Sequence, residues 1–182
     1  MDKLIFKTKY VEHVFRTLKK ITTEVIKLPR GGQVLPYFKD SKNAWKIVLV
    51  SQYRPAVKKK TLEGAGGRLD NEPAKEALSR ELQEETGIKV KPSSIRTVFH
   101  EYAHPSILNA SIFGGIAKIN ADMVTNKKKT GKKRENERTQ VEIFDLVGFL
   151  KNREEGLVEI DLLTSRLLDE VAKAVGLLIK KY

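Results

Sequence analysis

Cysteine is absent from the 182 residues. That excludes disulfides, thiolate metal sites and cysteine nucleophiles, so any metal must rest on oxygen or histidine and is expected to be a hard ion. Histidine is scarce as well, with three in the chain. His100 and His104 are spaced i,i+4, but the segment reads as strand and loop, where that spacing brings nothing together, and structural roles are expected. His13 stands alone. The single tryptophan, Trp45, opens a predicted strand and reads as a core residue rather than a stacking platform. No apolar run reaches membrane length, and the opening "MDKLIFKTKYVEHVF" scatters charges where a signal peptide needs an apolar stretch. A cytoplasmic protein without a membrane partner is the expectation.

Acidic residues are outnumbered, 23 against 35 lysines and arginines, for a formal net charge of +12. A positive surface concentrates phosphates, which suggests nucleotides or nucleic acid as partners, and it also serves solubility. Much of the excess lies in "NKKKTGKKR", residues 126–134, which has no apolar residue and no interleaved aromatic. It reads as a solvated loop rather than a nucleic-acid site. With 40% hydrophobic and 32% charged residues, the chain has the composition of one folded domain.

The order of elements is strands, helix, strands, helix, a mixed α/β domain. Two or three strands are predicted in the first thirty-odd residues, with a turn at Pro29, Gly31 and Gly32. "AWKIVLVSQYR" is continuously apolar in its middle, predicting a strand buried on both faces that delivers Gln52, Tyr53 and Arg54 to a loop. A helix is predicted from about Pro73 to Thr86, capped by Asp70 or Asn71 and ended by Gly87, after a glycine-rich turn. Strands are expected at "IRTVFHEYA", "ASIFGGIAKI" and "TQVEIFDLVGFL", and an amphipathic helix at "IDLLTSRLLDEVAKAVGLLIKKY".

Carboxylates are nonetheless concentrated in one stretch, "GGRLDNEPAKEALSRELQEETGI", residues 66–88. On a helix, Glu81, Glu84 and Glu85 project from one face, where like charges repel. One reading is an exposed, salt-bridged helix, with Arg80 relieving Glu84 from four residues away. That reading leaves the preceding "GAGG", Gly64 to Gly67, unexplained. Glycines let backbone approach a ligand closely, and Mg²⁺ takes carboxylate, carbonyl and water oxygens while sharing substrate phosphates. A hard divalent cation accounts for both features.

Gly66, Glu72, Arg80-Glu81-Leu82, Glu84-Glu85 and Gly87-Ile88, with intervals of five, seven, one and one residues, resemble the Nudix box at every specified position. The resemblance implies a mixed β-sheet between helices, an α/β (α+β) fold with an N-terminal strand extension over 1–43 and a catalytic core over 44–182. It implies hydrolysis of a nucleoside diphosphate linked to another group, with Mg²⁺ as the cofactor and Mn²⁺ able to substitute. Glu81 and Glu85 would be the principal metal ligands, with Glu84 supporting and the Ala65 carbonyl adding a backbone oxygen. Arg80 would orient the glutamates, and Glu72 would hold loop and helix together.

Three further segments look like the ADP-ribose pyrophosphatase branch: "VSQYRPAV", "HPSILNASIFGGIAKI" and the acidic loop "RENERTQVEIFDL". That likeness implies ADP-ribose as substrate, giving AMP and ribose 5-phosphate, and a homodimer with N-terminal strands crossing the interface. It makes Arg54, Gly66 and Pro105 the expected substrate contacts, and Glu137, with Glu135 as alternative, the residue that positions or deprotonates water. The branch's Glu-x-Pro-Ala-Gly entry to the box is altered here to Glu63-Gly64-Ala65-Gly66. Other nucleotide sugars or dinucleotides stay open, as do RNA-end hydrolysis and non-catalytic nucleotide or RNA binding.

Overall fold

The computed structural model describes residues 2–124 and 139–177. Two strands dominate its centre: β4 (Gly31–Lys39) and β5 (Trp45–Arg54). Along β5, Ile47 and Leu49 join one buried cluster while Val48 and Val50 join another, so the unbroken apolar run reflects burial on both faces. The first face is covered by α2 (Leu146–Glu154) and α3 (Leu162–Ala174), which contribute Phe149, Leu167, Leu168 and Val171. The second is covered by α1 (Ala74–Thr86) through Leu78 and Leu82. A helix–sheet–helix sandwich results.

Among the described residues the sheet has seven strands. Its path is β11 (Gln140–Asp145), β5, β4, β10 (Ser111–Lys118) and β8 (Arg96–Tyr102), with β6 (Lys59–Glu63) on β5 and β7 (Ala65–Arg68) on β4. β10 runs parallel to β4, and the other pairings are antiparallel. Strand β4 pairs with β7 through residues 31–34 and with β5 through residues 37–39. The sheet is therefore split on that side around Leu35 and Pro36. A proline is tolerated in this central strand because its missing N–H falls at the split.

A second sheet is built from β1 (Asp2–Lys7), β2 (Glu12–Leu18) and β3 (Ile21–Lys27), closed by the two residues of β9 (Leu108–Asn109). β9 ties this N-terminal sheet to the loop after β8. The strand at 31–39 belongs to the larger sheet and not to this one.

Several expectations change in detail. Asp70 and Asn71 do not cap α1; Pro73 occupies the cap position with no side-chain hydrogen bond, and its carbonyl accepts from Glu76 and Ala77. Gly87 ends α1 with φ of 76°, as expected for a left-handed terminus. Gly64 to Gly67 are not a turn, since three of the four lie in β7. β5 runs straight through Arg54 and turns back over residues 55–58 into β6. The strand expected at 139–150 stops at Asp145, whose carboxylate accepts from the Gly148 amide and starts α2. The β-rich "FDLVGF" conceals that start. The basic segment 126–134 lies outside the described residues. No described helix is long and apolar enough to cross a membrane.

Candidate functional site

The site is the face of α1 that looks onto β7. Glu81, Glu84 and Glu85 lie within one turn, as their spacing requires, and Gly66 and Gly67 run beside them. The Gly66 amide donates to Glu85 Oε2 at 2.9 Å. At Gly67, an added Cβ would stand 2.7 Å from Glu81 Cδ, so the absent side chain is what makes room for that carboxylate. Gly66 answers a different constraint, because a Cβ there would meet the Gly32 carbonyl oxygen at 2.2 Å. One glycine admits a carboxylate and the other admits a strand.

Arg80 laces the acidic face together. Its Nη1 donates to Glu81 Oε1 at 2.6 Å and reaches Glu84 Oε2 at 3.5 Å, while Nε donates to Glu72 Oε1 at 3.0 Å. Nη2 donates to the Arg68 carbonyl at 3.3 Å, tying helix to strand. The expected relief of Glu84 by Arg80 is present but long; the closer partners are Glu72 and Glu81. A planar fork holds three carboxylates in fixed directions, where an ammonium offers only a single rotatable point of charge. Arg80→Lys is expected to weaken divalent-cation binding about tenfold to a hundredfold with the fold retained, read by calorimetric titration with Mn²⁺.

Burial sets the electrostatics. It pushes the Glu85 carboxyl up to about 7, with the Glu81 charge adding to the effect and the Gly66 amide and Arg54 opposing it. Burial also raises Glu81, against the pull of Arg80. These carboxylates are held in a place that disfavours their charge, which a bound cation would relieve.

Arg54, at the end of β5, donates through Nε to Glu63 Oε1 at 2.7 Å and through Nη2 to Oε2. Thr61 Oγ1 also donates to Glu63, at 2.6 Å. Burial works to raise Glu63, but these bonds outweigh it and its carboxyl lies below the usual range. Arg54 is thus half-exposed and braced by a buried partner, close enough to act on Glu85.

Pro105 is exposed in the turn between β8 and β9. Glu135 and Glu137 lie outside the described residues. His100 stacks on Phe113 with centroids 4.0 Å apart, and His104 Nδ1 meets Ser106 Oγ at 2.7 Å, so each has a separate structural contact. Trp45 packs partly buried against the cluster under α2 and α3, 5.8 Å from Tyr37.

A family model for the NUDIX domain matches residues 30–146, more than half of the chain. The chain belongs to the Nudix family. The match opens just before β4 and closes at the first residue of α2, so β1–β3 and α3 stand outside it. No curated protein matches the chain. Membership makes this a Nudix hydrolase domain, a pyrophosphate-hydrolysing type that typically uses divalent metals.

Among the described residues, no three acidic or histidine side chains are drawn together as a ready-made ligand set. Glu81 is turned to Arg80 and Glu85 to the Gly66 amide. The donors still suit a hard cation: every one is an oxygen, two are carboxylates that burial penalises as anions, and Gly67 leaves space for Glu81. The residues present fit the metal that the family implies.

Sequence reasoning missed Gln33, Asp161 and Thr164, which form buried polar contacts behind β7. The signal available was the Asp161-x-x-Thr164 spacing at the start of the last helix, which has the form of a cap.

Proposed function

We propose that this Nudix domain hydrolyses the pyrophosphate of ADP-ribose to AMP and ribose 5-phosphate with Mg²⁺, for which Mn²⁺ can substitute. The observation that carries the hydrolase reading is the face of Glu81, Glu84 and Glu85 laced by Arg80 against a glycine strand. ADP-ribose is favoured by the likeness of residues 50–57 and 104–119 to that branch, and by an arginine at the end of β5 braced for a phosphate.

Glu81, Glu85 and the Ala65 carbonyl would hold the cation, with Glu84 in support. When bound, it neutralises charge on the pyrophosphate and makes water more acidic. Arg80 keeps Glu81 and Glu72 in place through its fork. Arg54 presents its guanidinium to a phosphate oxygen while Glu63 fixes its orientation. Gly66 brings backbone close to the substrate, and Pro105 would meet it from the turn between β8 and β9. Glu137, or Glu135, takes the proton of the water whose oxygen bonds to phosphorus as the bridging phosphorus–oxygen bond breaks.

A homodimer through the N-terminal sheet belongs to the same proposal. Leu4, Phe6, Phe15, Leu18 and Ile21 are all exposed there, more apolar surface than a solvated sheet needs. The protein's setting is read as cytoplasmic.

The test is a product-release assay over ADP-ribose, GDP-mannose, NADH, dinucleoside polyphosphates and capped RNA, with Mg²⁺ and Mn²⁺ compared. ADP-ribose is expected to give the highest kcat/KM and AMP as product. A better rate on any other member reassigns the substrate, and failure on all of them overturns the hydrolase reading for this chain.

A further inference from the structure

The split in the sheet places an unusual demand on one residue. Glu63 pairs with Val50 on β5, whereas Ala65 pairs with Val34 on β4. Gly64 is the step between the two strands. Its amide donates not to a strand but to Thr164 Oγ1, at 2.9 Å, on an α3 residue that is fully buried.

Thr164 is itself held in a closed set of bonds. Its hydroxyl donates to Gln33 Oε1 at 3.0 Å, and Gln33 Nε2 donates to Asp161 Oδ2 at 2.6 Å. Asp161 Oδ1 accepts from the Thr164 amide at 2.7 Å, which also caps α3. The bond from Gln33 Nε2 to Asp161 sets which way the Gln33 amide faces, so the hydroxyl proton of Thr164 is directed to Gln33 Oε1 and its oxygen is left to accept from Gly64. Gly64 therefore has a fixed acceptor rather than a rotating one. The next residue supplies the Ala65 carbonyl, and the one after it supplies the amide that binds Glu85.

We infer that Thr164, oriented by Gln33 and Asp161, is a positioning residue for the divalent-cation site: it fixes the crossing at Gly64 and so the depth of the Ala65 carbonyl and the Gly66 amide beside Glu85. This rests on the reading of Glu81, Glu85 and Ala65 as the cation's ligands. The ring joins α3, which lies outside the Nudix-matched span, to the strand that carries the site. It gives the last helix a part in cation affinity beyond covering the core.

The test uses the full-length protein and Mn²⁺ binding by calorimetry or electron paramagnetic resonance, with thermal midpoints measured in parallel. Thr164→Val keeps shape but offers Gly64 no acceptor, and it is expected to weaken Mn²⁺ binding about tenfold. Thr164→Ser restores the hydroxyl and should return affinity to within twofold of the parent. The Thr164→Val protein should also need more Mn²⁺ for half-maximal turnover while kcat at saturating Mn²⁺ recovers, which a general loss of packing does not produce. If that variant does not fold, Asp161→Asn carries the test. Its amide group would face the Gln33 donor, forcing Gln33 to turn over and leaving the Thr164 proton without an acceptor. Mn²⁺ binding should then weaken several-fold. Unchanged affinity in Thr164→Val, or in Asp161→Asn as its substitute, overturns the inference, and the ligand reading survives if Glu85→Gln still loses the ion. Unchanged affinity in Glu85→Gln as well brings down the ligand reading and the inference with it.

Discussion

Glu85→Gln is expected to lower turnover about a thousandfold at saturating Mg²⁺, the scale for losing one preorganised charge-stabilising group, and to make the cation-free protein more stable above pH 7. The two effects have one cause. Burial holds the Glu85 carboxyl up to about 7 in the folded protein, against the ordinary 4.5. Between those values the folded chain keeps a proton that the unfolded chain has released, so this group's contribution to stability is complete below pH 4.5 and is lost as pH rises through 7. The separation corresponds to on the order of 3 kcal/mol above pH 7. Glutamine keeps an oxygen for the Gly66 amide and removes the charge. Thermal midpoints of both proteins in chelator, from pH 4.5 to 8.5, should diverge as pH rises, with the variant above. Asp161 and Glu81 are also raised and Glu63 is lowered, so the difference between the two curves, rather than either alone, reads Glu85. A variant less stable than the parent at pH 8, or one that turns over normally, would sink the assignment.

Adding Mg²⁺ should reverse the order, because binding to the folded parent stabilises it by mass action while the variant gains little.

Gly66→Ala and Gly67→Ala are expected to fail in opposite ways although they are adjacent. At Gly66 the new Cβ would stand 2.2 Å from a backbone oxygen of β4, so one strand must move. The expected cost is about 3 kcal/mol, at the upper end for an overpacked site, so the main loss is of stability, with activity reduced as well because the strand that moves carries the amide bound to Glu85. At Gly67 the new Cβ would meet Glu81 Cδ and Oε1 at 2.7 Å, the far end of a side chain that can swing away. The fold is expected to survive with its thermal midpoint moved by a few degrees, while kcat falls about a hundredfold because a carboxylate has been displaced by an ångström or so. Chemical denaturation and steady-state kinetics on the pair separate the two. Equal losses of stability, or a Gly67 variant with normal kcat, would show that Glu81 does not act from its present position.

The α1 face was legible in the sequence, because helical periodicity is local: three and one residues apart is one side of a helix wherever that helix packs. The box spacing made the family legible too, and the match over residues 30–146 agrees. Less legible was the character of Gly64 to Gly67. A cluster of glycines signals a turn, yet here it is a strand whose neighbours come too close for side chains, and that closeness depends on Gly32 from thirty-odd residues earlier. Arg54 shows the same limit. The sequence offered it as a substrate contact; the structure also binds it to a buried partner, Glu63, which stands opposite Val50 and is reached only because the hairpin sets both side chains on one face. The start of α2 was hidden because β-branched and aromatic residues run across it, and Asp145 was counted as part of the strand it ends.

By itself, then, the order of residues determined the acidic helix face, the both-sided burial of β5, the absence of thiol chemistry and the family. Each is a matter of composition or of short-range period. Only the tertiary structure decided which glycine admits a carboxylate and which admits a backbone, that Glu63 braces Arg54, and that Thr164, a hundred residues away, receives the Gly64 amide. Those depend on where the sheet splits and which helix closes over the split, and contacts between distant segments leave no period in the chain to read.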